Sequence, residues 1–267
     1  MRSGLALYFR YLGVSLRAQL QYRASVVMQA LGILIITAIE FLGIWALFDR
    51  FGPIAGWTLP EVALLYGLVE VAFALSDTIG RGFDMFPTMV QRGDFDRLLV
   101  RPRSTVLQLA GQELALKRLG RLFQALVVLV WASVVLDISW SFAKVALLLA
   151  AIGGGVCLFM GLLVVQATIA FWTIEPLEIM AAFTHGGVEA GHYPMSIYRR
   201  WFRRFFTFVV PLACTNYLPA VALLDRPDPL GTPVLIQWLA PLGGVFFLLF
   251  ALQIWKLGVR KYVSTGS

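Results

Sequence analysis

Charged residues are scarce in this sequence, in which only 14% of 267 residues carry a charge. Soluble domains contain about 25% charged residues, so this chain lacks the charge needed to keep a large apolar surface in water. Hydrophobic residues make up 59% of the chain, and its mean hydropathy is +0.79. These values exclude an ordinary soluble protein and predict a protein that lies within a lipid bilayer.

Nucleotide-binding and metal-binding motifs are also missing. No segment has the form GxxxxGK[ST], which excludes a P-loop nucleotide hydrolase on this chain. Cys157 and Cys214 lie in apolar segments without paired spacing, so we expect neither a disulfide nor a zinc site. The net charge of +7 comes from basic residues between apolar runs, where they determine membrane topology. We therefore expect no cofactor and no nucleic-acid partner.

Long, continuously apolar runs dominate the rest of the sequence. Such runs predict transmembrane α-helices and exclude a β-barrel, whose strands would alternate in polarity. Residues 1–23 differ, because leucines at helical spacing face away from Arg10 and Arg17, which predicts an amphipathic helix in the membrane interface. A targeting peptide is the alternative. We expect residues 24–267 to form one six-helix domain in the bilayer. The predicted spans are 24–48, 62–79, 119–136, 142–172, 178–197 and 234–255.

Basic residues predict the orientation of these spans. They are concentrated in the N-terminal segment, in the loop 80–118 and at the C-terminus, whereas the remaining short loops have a single basic residue each. Because basic loops stay on the cytoplasmic side, both termini and the loop 80–118 are expected to be cytoplasmic in a multi-pass plasma-membrane protein.

The segment 173–233 allows two interpretations. It contains a cluster of four arginines, Arg199, Arg200, Arg203 and Arg204. Charge bias would place the arginines inside and make Phe205–Leu224 the fifth span. Alternatively, 178–197 is the fifth span, and 198–224 is a helical hairpin that enters the outer leaflet and returns. Both interpretations give six spans with both termini inside.

Two acidic residues lie within predicted spans. Glu40 and Glu70 lie at matching depth, roughly 12 Å below the outer surface at about 1.5 Å per helical residue. An ionisable group at that depth costs about 2–3 kcal/mol, which favours a position facing the bundle interior or a wet cavity. Both are therefore candidates for lining a conduit, and fastening of helices by hydrogen bonds is the alternative.

Other patterns have simpler interpretations. His185, Glu189 and His192 could share one helix face, but two histidines and one carboxylate are a minimal metal set. We favour polar residues that line a helix contact and predict no metal site. Gly153, Cys157 and Gly161 recur every four residues, which predicts close helix packing.

The loop 80–118 contains the most unusual run, residues 91–102, in which apolar side chains alternate with charges of both signs. A solvated loop does not need Phe95, Leu98 and Leu99 between its charges. The pattern is typical of a short interfacial helix that docks a soluble partner, and contact with lipid headgroups is the alternative.

The run GDFDRLLVRP resembles the corresponding loop of ABC-2-type permeases, in a subgroup of six-helix proteins of about 260 residues. The later pattern YPMSIY at 193–198, followed by Pro211 and by YLPA at 217–220, is similar to the same family. The resemblance covers essentially the whole chain. It implies a coupling helix after the second span that contacts an ATPase. The implied coupling residues are Gly93, Asp94, Phe95, Asp96, Arg97 and Leu98.

The resemblance also implies a re-entrant hairpin after the fifth span, so it favours 198–224 as that hairpin. The four arginines would then lie outside, against the charge rule, where they could snorkel to headgroups. The expected fold is an all-α membrane protein with six transmembrane helices, an interfacial N-terminal helix, a cytoplasmic coupling helix and an outer hairpin.

The function implied by the resemblance is that of the permease subunit of an ATP-binding cassette exporter, not of an enzyme. Its partners would be a dimer of ATPase subunits and a second permease, either another copy or a homologue. A secondary transporter or channel is the first alternative, although no internal repeat is evident. An integral membrane enzyme is the second. The substrate stays open, although Glu40 and Glu70 would suit a cation.

Overall fold

The computed structural model describes residues 4–173 and 178–262, and within these ranges it contains helices but no β-strand. The predicted all-α membrane fold is confirmed. In chain order the helices are α1 (Gly4–Gln21), α2 (Arg23–Phe51), α3 (Leu59–Ile79), α4 (Arg81–Asp84), α5 (Phe86–Gln91), α6 (Asp96–Leu99), α7 (Thr105–Ala110), α8 (Leu119–Val135), α9 (Phe142–Ile169), α10 (Glu178–Gly191), α11 (Arg200–Arg204), α12 (Leu212–Thr215), α13 (Tyr217–Leu223), α14 (Val234–Leu239) and α15 (Leu242–Lys261).

Five of the described helices are long and apolar enough to cross a membrane, namely α2, α3, α8 with the turn before it, α9 and α15. The helix α3 lies at the centre, because 83% of its apolar window is buried, against 17% for α2. It packs against α8, α9 and α10. Its start is fixed by a capping box, in which the Thr58 amide donates to the Glu61 carboxylate at 2.7 Å.

The helices near the C-terminus differ in extent from the predicted spans. The helix α10 ends at Gly191, although a span over 178–197 was expected, because Pro194 lacks an amide hydrogen and the chain turns there. The predicted span 234–255 is two helices, α14 and α15, which meet at Pro241 and continue to Lys261.

Between α10 and α14 the chain forms a bent helical pair, Arg200–Val209 and Leu212–Leu223, with an angle of 71° between its halves. By length and composition this pair is either a broken sixth span or a re-entrant loop. The first half packs beside α10, where Phe206 lies next to Gly187. The second half is bonded to the end of α10, because Asn216 donates to the Gly191 carbonyl at 2.6 Å.

Both described termini lie at the same end of the bundle. Tyr262 packs against Phe95, and Gln19 bonds to the backbone of Leu114. We call this end, which carries α4–α7, the loop end. The opposite end, formed by residues 52–58, 137–141 and 225–233, is called the hairpin end. There, Lys144 pairs with Asp225 at 2.6 Å.

Glycines allow α9 and α15 to approach closely, through Gly161 of the predicted stripe but through Gly154 in place of Gly153. An added Cβ at Gly154 would overlap the Pro241 carbonyl, and one at Gly161 would overlap the Phe247 ring. By contrast, Gly153 faces open space. The packing face is therefore displaced by one residue from Gly153, so that Gly154 lies against the neighbouring helix.

This displacement predicts different effects for two adjacent substitutions. Gly154→Val should overpack the α9–α15 contact and destabilise the protein by about 1–3 kcal/mol. Gly153→Val adds the same β-branched residue to the same helix in open space, so it should change the thermal midpoint much less. Thermal unfolding of both purified variants measures the difference, and equal midpoints would contradict the assigned face.

Candidate functional site

The loop at the loop end has a defined conformation, which begins where α5 ends. Gly93 follows α5 with a φ of 72°, in the left-handed region that glycine adopts without strain. Its amide donates to Val90, and the Asp94 amide donates to Met89 at 3.0 Å. These two bonds form a Schellman motif, which reverses the chain before α6.

Phe95 anchors this loop in an aromatic cluster. It is fully buried, with its ring centroid 5.0 Å from that of Phe86, 5.0 Å from Tyr262 and 5.5 Å from Phe171. Trp255 of α15 also contacts Phe95 and donates to Thr105 at the start of α7, at 3.0 Å. The loop is therefore packed onto the ends of α9 and α15.

The predicted coupling residues divide into an inner and an outer set. Phe95 and Leu98 face inward, because Leu98 is also buried. Asp94 and Arg97 face outward and pair with each other at 3.3 Å. Asp96 lies beside Tyr262, and burial together with this carboxylate raises the pKa of the tyrosine, so its hydroxyl stays protonated.

The outer surface of the loop combines apolar and basic side chains. Val100 is 85% exposed and Leu99 is 40% exposed, although both are apolar. Four arginines of the same loop are also exposed and flank these two residues in the sequence, namely Arg92, Arg97, Arg101 and Arg103. An apolar centre with a charged rim is typical of a protein-docking surface.

The helix α1 is fastened to this loop by polar side chains. Ser15 accepts a hydrogen bond from the Leu114 amide at 3.1 Å, and Gln19 accepts one from the Leu116 amide at 3.2 Å. Gln19 also donates to the Leu114 carbonyl. The amphipathic pattern indicates an interfacial helix, but it does not reveal these contacts, which depend on a segment distant in sequence.

A second polar site lies inside the bundle, around Glu70 of α3. One carboxylate oxygen of Glu70 is 3.3 Å from Arg121 Nε, and the other is 2.9 Å from His192 Nε2. The guanidinium of Arg121 also lies 5.0 Å above the Phe73 ring. Glu70 is fully buried, so these groups take the place of water around its charge.

Glu40, the second predicted conduit residue, has a different environment. It lies on the exposed face of α2, close enough to Arg121 and Glu70 to interact with them electrostatically. Glu189 is also largely exposed, and its carboxylate is 3.6 Å from His192 Nδ1. The two predicted acids are thus near the same charged cluster, but only Glu70 is enclosed by it.

The three residues weighed as a metal set do not converge. His192 contacts Glu189, whereas the ring of His185 packs against Phe73, with centroids 5.7 Å apart. Among the described residues, no group of three His, Cys, Asp or Glu side chains is placed to hold a metal ion. The arrangement supports electrostatic interactions and helix fastening.

Ion pairs also join the loops at the hairpin end. Arg226 pairs with Glu61 at 2.7 Å and lies 4.3 Å above the buried Trp57 ring. Asp228 accepts hydrogen bonds from Tyr217 and from the Thr232 amide. Partial burial opposes ionisation of Asp228, but these bonds outweigh it and lower its pKa. The end of α13 is therefore held against the start of α3.

Sequence reasoning missed Arg121, the cation that pairs with Glu70. The available signal was its position just inside a predicted span, where a lone arginine requires a partner or a cavity.

Comparison with known proteins assigns a family to this architecture. A family model described as an ABC-2 family transporter protein matches residues 34–266. No curated protein matches the chain, and no solved structure matches it. The matched range includes the loop anchored by Phe95, the charged cluster around Glu70 and the bent helical pair.

The ion pair between Glu70 and Arg121 predicts that substitutions at these two residues have non-additive effects on stability. Glu70→Ala leaves the partly buried Arg121, whose Nε is enclosed, without its carboxylate and should cost about 3–5 kcal/mol of stability. The double variant Glu70→Leu with Arg121→Met removes both charges, so it should be more stable than Glu70→Ala alone. Glu189→Gln is the control, because that side chain is 68% exposed. Thermal midpoints test the order, and a double variant less stable than Glu70→Ala would contradict the pairing.

Proposed function

Because the chain belongs to the ABC-2 family of transporter proteins, we propose that it is the membrane permease subunit of an ATP-binding cassette exporter. Family members are membrane transport components, and ATP hydrolysis would take place on a separate subunit. The observation that carries the proposal is the anchored loop at the loop end, which presents exposed Leu99 and Val100 on a packed base.

The loop meets two physical requirements for coupling to an ATPase. It offers an exposed apolar and basic surface to a soluble partner, with the Asp94–Arg97 pair at its edge. It also has a stiff connection to the membrane, because Phe95 packs against α15 and against the end of α9. A displacement of Val100 would therefore be transmitted to the bundle and would not be absorbed by a flexible linker.

The exporter would contain two permease halves and two ATPase subunits. The position of Glu40 supports the presence of a second permease half. Glu40 lies on the exposed face of α2, where lipid would otherwise surround its carboxylate. A second copy of this chain or a homologous permease would cover that face. The conduit would form between the halves, with Glu40 on its wall and Glu70 holding the wall together.

The same proposal implies an orientation of the chain in the membrane. The loop end, with both termini, would be cytoplasmic in the plasma membrane, as its basic residues favour. The bent pair would then be a re-entrant hairpin that opens to the outside. The second half of the pair supports this, because Asn216 contacts the end of α10, and Asp225, which follows the pair, reaches Lys144 at the hairpin end.

Replacing an exposed apolar residue of the loop tests the docking surface. Val100→Asp should abolish co-purification of the ATPase, because a buried unpaired carboxylate would face the partner. The tagged full-length chain is purified from its own cells, and subunits with a GxxxxGK[ST] motif are identified by mass spectrometry.

Leu230→Asp is the control for this experiment, since Leu230 is 36% exposed but lies at the hairpin end. It should leave co-purification unchanged. Retention of the ATPase by Val100→Asp, or absence of any such subunit from the unmodified chain, would contradict the proposal and favour a secondary transporter or channel.

The role of Glu40 can be tested with ethidium as a probe cation. In cells that contain the permease and its ATPase, Glu40→Gln should slow ethidium efflux about fivefold, as expected for roughly 1 kcal/mol from one exposed charge. The thermal midpoint should change little, because Glu40 forms no hydrogen bond or ion pair with a described residue, and its attraction to Arg121 is opposed by repulsion from Glu70. Asp49→Asn, at the exposed end of α2, is the matched control. Unchanged efflux would remove Glu40 from the conduit for cations.

A further inference from the structure

A cavity of about 460 Å³ lies between α1 and the segment that leads from α6 to α8. This volume is within the range of about 300–1,000 Å³ typical of small-ligand sites. Tyr11, Ser15 and Gln19 of α1 line one wall, while Arg101 and Gln108 line the other. The proposed transport function does not use this cavity, and Arg101 is the one exposed arginine of the docking surface that lines it.

The polar groups of the cavity carry both signs of charge. Arg101 and Glu113 line it, and neither forms an ion pair with any described residue. Tyr11 lies 3.4 Å from the Arg101 guanidinium, which adds a hydroxyl beside the cation. A ligand with an anionic and a cationic group would pair with both residues.

Gln108 adds an acceptor that lacks a partner. It is buried, and its amide nitrogen donates to the carbonyls of Leu98 and Arg103, both at 3.2 Å. These two bonds fix the orientation of the amide, and they leave its oxygen without a hydrogen-bond partner among the described residues. A buried acceptor of this kind is normally satisfied by a donor, such as an ammonium group or a water molecule.

The position of the cavity indicates where the ligand comes from. Gln19 lies just before the start of α2, and Glu113 lies just before the start of α8, so the cavity is level with the first residues of two spans. Phospholipid headgroups occupy this level of a bilayer. Val14, Ala18 and Leu98 provide apolar lining beside the charged groups.

We propose that this cavity binds the phosphoethanolamine headgroup of a membrane phospholipid, with Arg101 on the phosphate and Glu113 on the ammonium group. The ammonium group provides hydrogen-bond donors for the Glu113 carboxylate, whereas a choline headgroup has no N–H donor. A glycerol headgroup lacks the positive charge. The bound lipid would hold α1 against the loop that carries Phe95.

The test measures the thermal midpoint of the full-length chain after removal of lipid in detergent. Dioleoyl phosphatidylethanolamine, supplied in mixed micelles at saturation, should raise the midpoint by about 5 °C. The phosphatidylcholine and phosphatidylglycerol of the same chains should raise it by less than half as much. Arg101→Gln and Glu113→Gln should both lose the selective rise, whereas Arg92→Gln, on the same loop but outside the cavity, should keep it.

One further variant and one further ligand complete the test. Ala18→Phe fills the cavity and leaves both charges in place, so it should lose the rise even if a charge variant fails to fold. Free phosphoethanolamine is added to distinguish a soluble ligand from a lipid. Equal rises with all three lipids, an unchanged rise in both charge variants, or the same rise with free phosphoethanolamine would overturn the proposal. No ATPase is needed, so the result is independent of the docking experiment.

Discussion

A charge inside a helical bundle must be neutralised by another part of the same bundle, because the bilayer interior supplies no water. The rest of this structure depends on how that requirement is met at Glu70. Its carboxylate binds Arg121 of α8 on one side and His192, just after α10, on the other. The central helix α3 is thereby linked to two neighbours at a fixed register. Hydrophobic packing alone would not specify that register, since lipid tails are as apolar as the side chains.

Charged residues are also paired within the chain at both ends of the bundle, with different consequences. At the hairpin end, Arg226 and Asp225 join the residues after α13 to the starts of α3 and α9. At the loop end, Asp77 pairs with Arg118 at 2.9 Å and fastens the end of α3 to the segment before α8. These pairs hold the ends of the central helices in place. Arg92 and Arg103 of the loop are exposed and form no ion pair with a described residue, so they are left for contacts outside the chain.

Hydropathy and charge were sufficient to predict the helical class and the outline of the long helices, because both follow from composition over about twenty residues. Phe95 shows where such reasoning stops. An apolar residue between charges predicts a contact, but the sequence cannot say whether the contact is with a partner or with Trp255 of the same chain. The partner of Glu70 was equally hidden, since Arg121 is distant in sequence. The shift from Gly153 to Gly154 depends on helix rotation, which neighbouring helices determine.

A packed connection runs between the two ends of the molecule. Phe95 contacts Trp255 near the end of α15, and α15 begins at a close crossing with α9, where Gly244 meets Gly154. Gly244 also lies against Thr215 of α12, and α13 follows directly to the ion pair between Asp225 and Lys144. Apart from the partly exposed Asp225–Lys144 pair, these contacts are between helices or between buried side chains, so the parts that they join are closely packed. The loop and the bent pair are therefore parts of one mechanical unit, built on α9 and α15, while α2 and its Glu40 stay outside it on the exposed face.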